Sequence, residues 1–151
     1  MTSAASDHND PQRLAVYAAE DALLCDIGPR FTRWTQVEAF VERVIADSHY
    51  LDLFPNAPLE ISLQRRSRSA TYSAAVPAHG VILIRDGSWN AVTILHELAH
   101  LVCTTSEAHG PRFVATELSL VRRNCSFDDY LALRESFAAH GVRQEGPPAG
   151  T

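Results

Sequence analysis

The sequence predicts an α+β domain: two N-terminal helices, a small and mostly antiparallel three-stranded sheet, a buried helix, and two C-terminal helices. Three observations carry that expectation. The chain has 151 residues, 46% hydrophobic and 21% charged, which suits one core. Apolar residues follow a helical period up to Pro55, alternate as in a strand from Leu59, and return to a helical period after Asp86. The stretch from Ala91 to Cys103 is apolar nearly all round, so it belongs inside the domain.

The elements follow in order. Residues 1 to 10 are polar and small and are expected as a disordered tail. Pro11 opens a helix to about Cys25, with Leu14, Tyr17, Ala18, Ala22 and Leu24 or Cys25 near one face. Gly28-Pro29 breaks it. Thr35-Gln36-Val37-Glu38 has the capping-box pattern of a second helix, with Val37, Phe40, Val41, Val44 and Ile45 as its buried stripe. Pro55 and Pro58 close that region. Leu59 to Gln64 alternates apolar and polar as a half-buried strand does. Ala70 to Val76 is a second strand, Pro77-Ala78-His79-Gly80 a turn, and Val81 to Ile84 a third strand, the last two forming a hairpin. Asp86-Gly87-Ser88 leads into the apolar helix, with Ser88 as its cap. Pro111 to Arg123 forms the next helix, burying Phe113, Val114, Leu118 and Val121. Ser126-Phe127-Asp128-Asp129 starts the last, which stops near His140-Gly141. From Arg143 the glycines and prolines mark a disordered tail over 143–151. One domain over 11–142 remains, without internal repeat.

Composition excludes several classes of function. The formal net charge is −5, and nucleic-acid binding leaves a basic footprint that this total lacks. Arg65-Arg66-x-Arg68 is a local basic cluster and reads better as the solvated edge of a strand. All 13 basic residues are Arg, so lysine Schiff-base chemistry and a P-loop lysine are excluded. Cys25, Cys103 and Cys125 show no C-x-x-C spacing and are expected as reduced core thiols of a cytoplasmic protein. No signal peptide and no membrane span are expected.

The chemistry concentrates in His96-Glu97-Leu98-Ala99-His100. On a helix, four residues advance about 400° and roughly 6 Å, so both imidazoles leave one face a turn apart. Tetrahedral zinc wants nitrogens at about 2.1 Å, which two rings leaning together across a turn can supply. Glu97 then sits beside the metal on a different bearing, which suits a general base acting on zinc-bound water. Solvated surface histidines are the bland alternative. The apolar surroundings argue against it, because buried polar groups need partners.

A catalytic zinc usually has three protein ligands and one open position. Downstream, Gly110 bends the chain and Pro111 suits the first position of a new helix, so His109 sits at a helix entrance. The polar Thr104-Thr105-Ser106 provides the return. His109 is therefore the expected third ligand, with Glu107 and Glu117 as rival carboxylates. Glu117 could instead orient a ligand ring. Cys103, His49, His79 and His140 are weaker candidates.

Together, His96-Glu97-x-x-His100 and His109-Gly110-Pro111-x-Phe113 resemble the core of SprT-like and Spartan-type zinc metalloproteases. They are also similar to small bacterial metallohydrolases that open with a segment like Val16-Tyr17-Ala18-Ala19-Glu20-Asp21. The resemblance covers roughly residues 11 to 142. It implies a minimal zincin-like fold, with a sheet packed on the zinc helix and one edge strand lining the cleft. It further implies Zn2+ on His96, His100 and His109, and Glu97 as general base. The short gap between His100 and His109 and the lack of a zinc ribbon depart from the Spartan pattern. The spacing also fails the metzincin pattern.

The expected function is a zinc-dependent metallohydrolase, above all a metallopeptidase acting on a peptide or protein substrate. Two rivals are a small zinc ribonuclease, against which Glu97 and the acidic composition speak, and a binding module with structural zinc, which would need a fourth protein ligand. A donor for the oxyanion is sought among Tyr72, Tyr130 and Arg112. Trp89 is expected as a packing anchor.

Overall fold

A computed structural model describes residues 10–23, 26–55, 57, 60–103 and 107–145 of the chain. Along them run α1 (Arg13–Asp21), α2 (Trp34–Ala46), α3 (Ser48–Leu53), β1 (Ser62–Arg66), β2 (Ala74–Val76), β3 (Val81–Arg85), α4 (Ala91–Val102), α5 (Pro111–Asn124) and α6 (Phe127–Ala139). The α+β class is as expected, with α3 as an additional short helix. Expectations that rested on Leu24, Cys25, Pro58, Leu59, residues 104–106 and the two termini (1–9, 146–151) fall outside the described residues.

The sheet has the order β1-β3-β2. β2 and β3 form the expected antiparallel hairpin, Ala74 opposite Leu83 and Val76 opposite Val81. Its turn is a 3-10 segment, Pro77–His79, closed by Gly80 in the left-handed region at φ 63°. β1 pairs with β3 in parallel, Ser62 opposite Val81. The sheet is therefore mixed, not mostly antiparallel. Alternation along Ile61 to Gln64 announces a strand but carries no information about which edge it joins or in which direction.

α4 lies in the middle. Ile94, Leu95, Leu98 and Ala99 are fully buried, packed between α5 on one side and the β2–β3 hairpin on the other. Asn90, not Ser88, caps it: its side-chain oxygen accepts from Thr93 N at 2.9 Å. The carbonyl of Pro29 accepts from Ala91 N at 2.9 Å, so the loop after α1 closes over the start of α4. Trp89 packs on Trp34, ring centroids 5.5 Å apart, as the expected anchor.

α2 buries Val37, Phe40, Val41 and Val44 as expected, while Ile45 is only half-buried. It starts at Trp34, one residue before Thr35, because the Gln36 side chain reaches back to the backbone N–H groups of Thr32 and Arg33. α5 buries the four predicted residues and adds Glu117 and Leu120. α6 is capped by Ser126 and packs on α1, where the Ser136 hydroxyl donates to the Ala19 carbonyl at 2.8 Å.

α1 overturns the expected apolar face. Val16, Ala19 and Glu20 are buried, whereas Leu14 is 63% exposed and Ala18 and Ala22 face solvent. Apart from Leu14 and Tyr17, the apolar residues of α1 are small and fit two faces about equally. Polar bonds select between them: Glu20 goes inward to His96, and Gln12 donates to the His109 carbonyl. The chain end is tied in too, since Gln12 also accepts from Arg143 N and Glu145 N donates to the Pro111 carbonyl. Among the described residues no helix is long and apolar enough to cross a membrane.

Candidate metal centre

One helical turn on α4 brings the rings of His96 and His100 together, and the entrance of α5 adds His109. The three Nε2 atoms form a nearly equilateral triangle: 3.2 Å from His96 to His100, 3.1 Å from His100 to His109 and 3.2 Å from His109 to His96. The third ligand expected from the sequence is thus brought to the other two. Gly110 matters locally, since a Cβ there would stand 2.7 Å from the Glu107 carboxylate. Glu107 lies outside the His cluster.

The ring protons are set by carboxylates. Nδ1 of His96 is 2.6 Å from Glu20 Oε2, and Nδ1 of His109 is 2.6 Å from Asp10 Oδ2. The other oxygen of Asp10 accepts from His109 N at 2.9 Å. An ionised carboxylate only accepts, so with Glu20 and Asp10 ionised each Nδ1 carries the proton and each Nε2 presents a lone pair. Two lone pairs facing each other at 3.2 Å repel unless a cation lies between them. Burial and the neighbouring rings also resist protonation: His100 is lowered to about 2 by desolvation and then by His96 and His109, and His109 to about 4 by desolvation and His96. Three imidazole nitrogens aimed at one point, two of their rings braced by carboxylates, fit a divalent metal ion.

A second grouping, Glu20, His96 and Glu117, also brings potential ligand atoms within 4.8 Å of one another. Its link between Glu20 and His96 has the length of a hydrogen bond, so the histidine triangle is the better centre. Glu117 is fully buried and makes no hydrogen bond of good geometry; His96 Nδ1 stands 3.8 Å from it. Burial, then the charge of Glu20, pushes its carboxyl well above the usual range. Burial also raises Glu20, to about 8. Of the roles open to Glu117, metal ligand in the triangle is thus not the one observed.

Glu97 is 4% exposed and lines both cavities beside the histidines, of about 300 Å³ and about 630 Å³. Burial raises its carboxyl above the usual value, while His96 and then Arg66 oppose the rise. Tyr17 forms a wall shared by both cavities. Its ring centroid lies 5.3 Å from those of His96 and His109, and Tyr72 stacks on it at 5.0 Å. Desolvation and then the charge of Glu97 raise its hydroxyl, so it stays protonated.

Of the three oxyanion donors considered from the sequence, Tyr72 reaches the cleft. Tyr130 does not: it packs with Phe127 and under Arg122 at the start of α6. Arg112 points outward, 3.8 Å from Glu145. Cys103 is buried at the end of α4 and belongs to no metal-ligand group among the described residues. His79 and His140 are exposed, and His49 is half-buried in α3, outside the cluster. Sequence reasoning missed Asp10, Glu20 and Tyr17. The only signal available was the segment Val16 to Asp21, which the resemblance marked without giving roles to its residues. The chain matches no protein-family model, no curated protein and no solved structure.

Proposed function

We propose that this protein is a zinc-dependent hydrolase of amide bonds, a metallopeptidase. The observation that carries the reading is the triangle of three imidazole Nε2 atoms, 3.1 to 3.2 Å apart, beside a cleft that also holds Glu97. Among the described residues no fourth protein ligand joins the three nitrogens, and such an open position for solvent and substrate distinguishes a catalytic from a structural zinc site.

His96, His100 and His109 would hold the ion, with Glu20 and Asp10 fixing the tautomer of two of them. When bound, zinc supplies a Lewis acid that polarises a carbonyl and acidifies water. Glu97 takes the proton of the attacking water and delivers it to the leaving nitrogen, acting first as base and then as acid. Its burial favours the first half of this cycle, because a carboxylate raised above its usual value takes a proton from water more readily. Tyr17 offers a hydroxyl at the same wall, and it serves as donor to the oxygen that gains negative charge.

Purified protein should bind one zinc per chain and cleave amide bonds in a mixture of unstructured peptides. Chelation should stop cleavage, and added zinc should restore it. Zinc-loaded protein that leaves every peptide intact would sink the reading. For Tyr17→Phe we expect kcat to fall about 10- to 100-fold with metal content unchanged. An unaltered kcat would remove Tyr17 from the mechanism.

A further inference from the structure

The larger cavity carries more positive charge than the rest of the chain would suggest. Apart from the histidines, its ionisable groups are Asp10, Arg13, Arg66 and Glu97, with Tyr17 and Tyr72 as aromatic wall. Asp10 is committed to His109 through both oxygens. Arg66 comes from the end of β1 and Arg13 from the start of α1, so the fold brings two distant arginines to one mouth. Both are placed by contacts to the wall. Arg66 donates to the Tyr72 carbonyl at 3.1 Å, and its charge reaches Glu97. The Arg13 guanidinium lies 5.6 Å from the Tyr17 ring centroid and 5.7 Å from that of Tyr72, and its charge reaches His109.

With a divalent ion on the histidines, positive charge in this cavity exceeds that of Asp10 and Glu97, in a chain whose formal net charge is −5. Low-dielectric walls focus such a field into the cleft. Guanidinium groups match carboxylates through paired N–H donors. A polyanion is a worse fit, because a nucleic-acid strand needs several phosphate contacts and only two arginines line this cavity.

Resting on the hydrolase reading above, we propose that the cleft selects peptides carrying a carboxylate beside the hydrolysed bond, and that Arg13 and Arg66 determine this specificity. The carboxylate is either an Asp or Glu side chain or a free C-terminus. Arg13 and Arg66 line the same cavity as His100 and His109, so a carboxylate held by them would leave the neighbouring amide beside the histidines.

The test compares binding with turnover. Calorimetry would measure three acetylated hexapeptides against both zinc-loaded and chelated protein: one with Asp and an amidated end, its Asn counterpart, and the Asn peptide with a free C-terminus. A hexamer of RNA is the fourth ligand. One of the two acidic peptides should bind about tenfold tighter than the neutral one, the worth of one charge-assisted hydrogen bond, and which of them does so names the source of the carboxylate. Arg13→Gln and Arg66→Gln should each shrink that ratio, and the double variant should bring it near one. Arg66→Lys should keep part of it, which a merely structural role for Arg66 would not predict. Near-UV circular dichroism checks that the variants keep the fold.

Equal binding of acidic and neutral peptides, a ratio unchanged in the double variant, tighter binding of RNA, or no binding of any acidic peptide would each overturn the proposal. Acidic selection without cleavage of any peptide would instead overturn the hydrolase reading and leave the charge selection standing. Cleavage without acidic selection would do the reverse.

Discussion

Glu97→Gln is expected to retain one zinc per chain and to lose about 10²- to 10⁴-fold in kcat, the usual worth of a positioned general base. The substitution conserves volume, which matters at a residue only 4% exposed on the central helix. An amide cannot take the proton from water, so turnover should fall while the three ring nitrogens stay where they are. Metal content by atomic absorption and kcat on a single cleaved peptide make the measurement. A variant as fast as the wild type would remove Glu97 from the base role. A variant that loses its zinc would point to a ligand role instead.

Asp10→Asn should weaken zinc binding about 10- to 100-fold, the range found when a partner of a metal-bound histidine is lost. His109→Ala, which removes a ligand outright, should weaken it further and abolish hydrolysis. The reasoning for Asp10 turns on one proton. Its two oxygens meet the backbone N–H and Nδ1 of His109 at 2.9 and 2.6 Å. Asn can supply an oxygen to only one of these, and an NH2 group facing Nδ1 would favour the opposite tautomer. The proton would then sit on Nε2, where the metal belongs. Competition with a chromogenic chelator gives the affinities, and a thermal melt of the chelated proteins checks folding. An Asp10→Asn protein with wild-type affinity would show that Asp10 does not set the tautomer.

How much of the site was legible follows from how its parts are spaced. His96 and His100 are one helical turn apart, and a four-residue interval has only one consequence on a helix. His109 was reachable because Gly110 and Pro111 fix a chain reversal and a helix start right after it. The carboxylates behind those rings had no such ruler. Asp10 stands 99 residues from His109 and Glu20 stands 76 from His96, and no period connects such positions. Asp10 looked like part of a polar terminus, and Glu20 like the outer face of an amphipathic helix. Tyr130 and Arg112 were sought as donors on residue type alone; packing at the start of α6 and an outward ion pair placed them elsewhere.

By itself the sequence announced most helices and strands, though not the short α3 or the strand bounds, and which histidines share a helical face, because periodicity, caps and breakers act over a few residues. Only tertiary structure decided the parallel pairing of β1, the rotation of α1 and the identity of the groups touching the back of each imidazole. Those depend on contacts between segments far apart along the chain. Their energies arise from burying particular polar atoms against one another, and no local pattern of apolar and polar residues records such a choice.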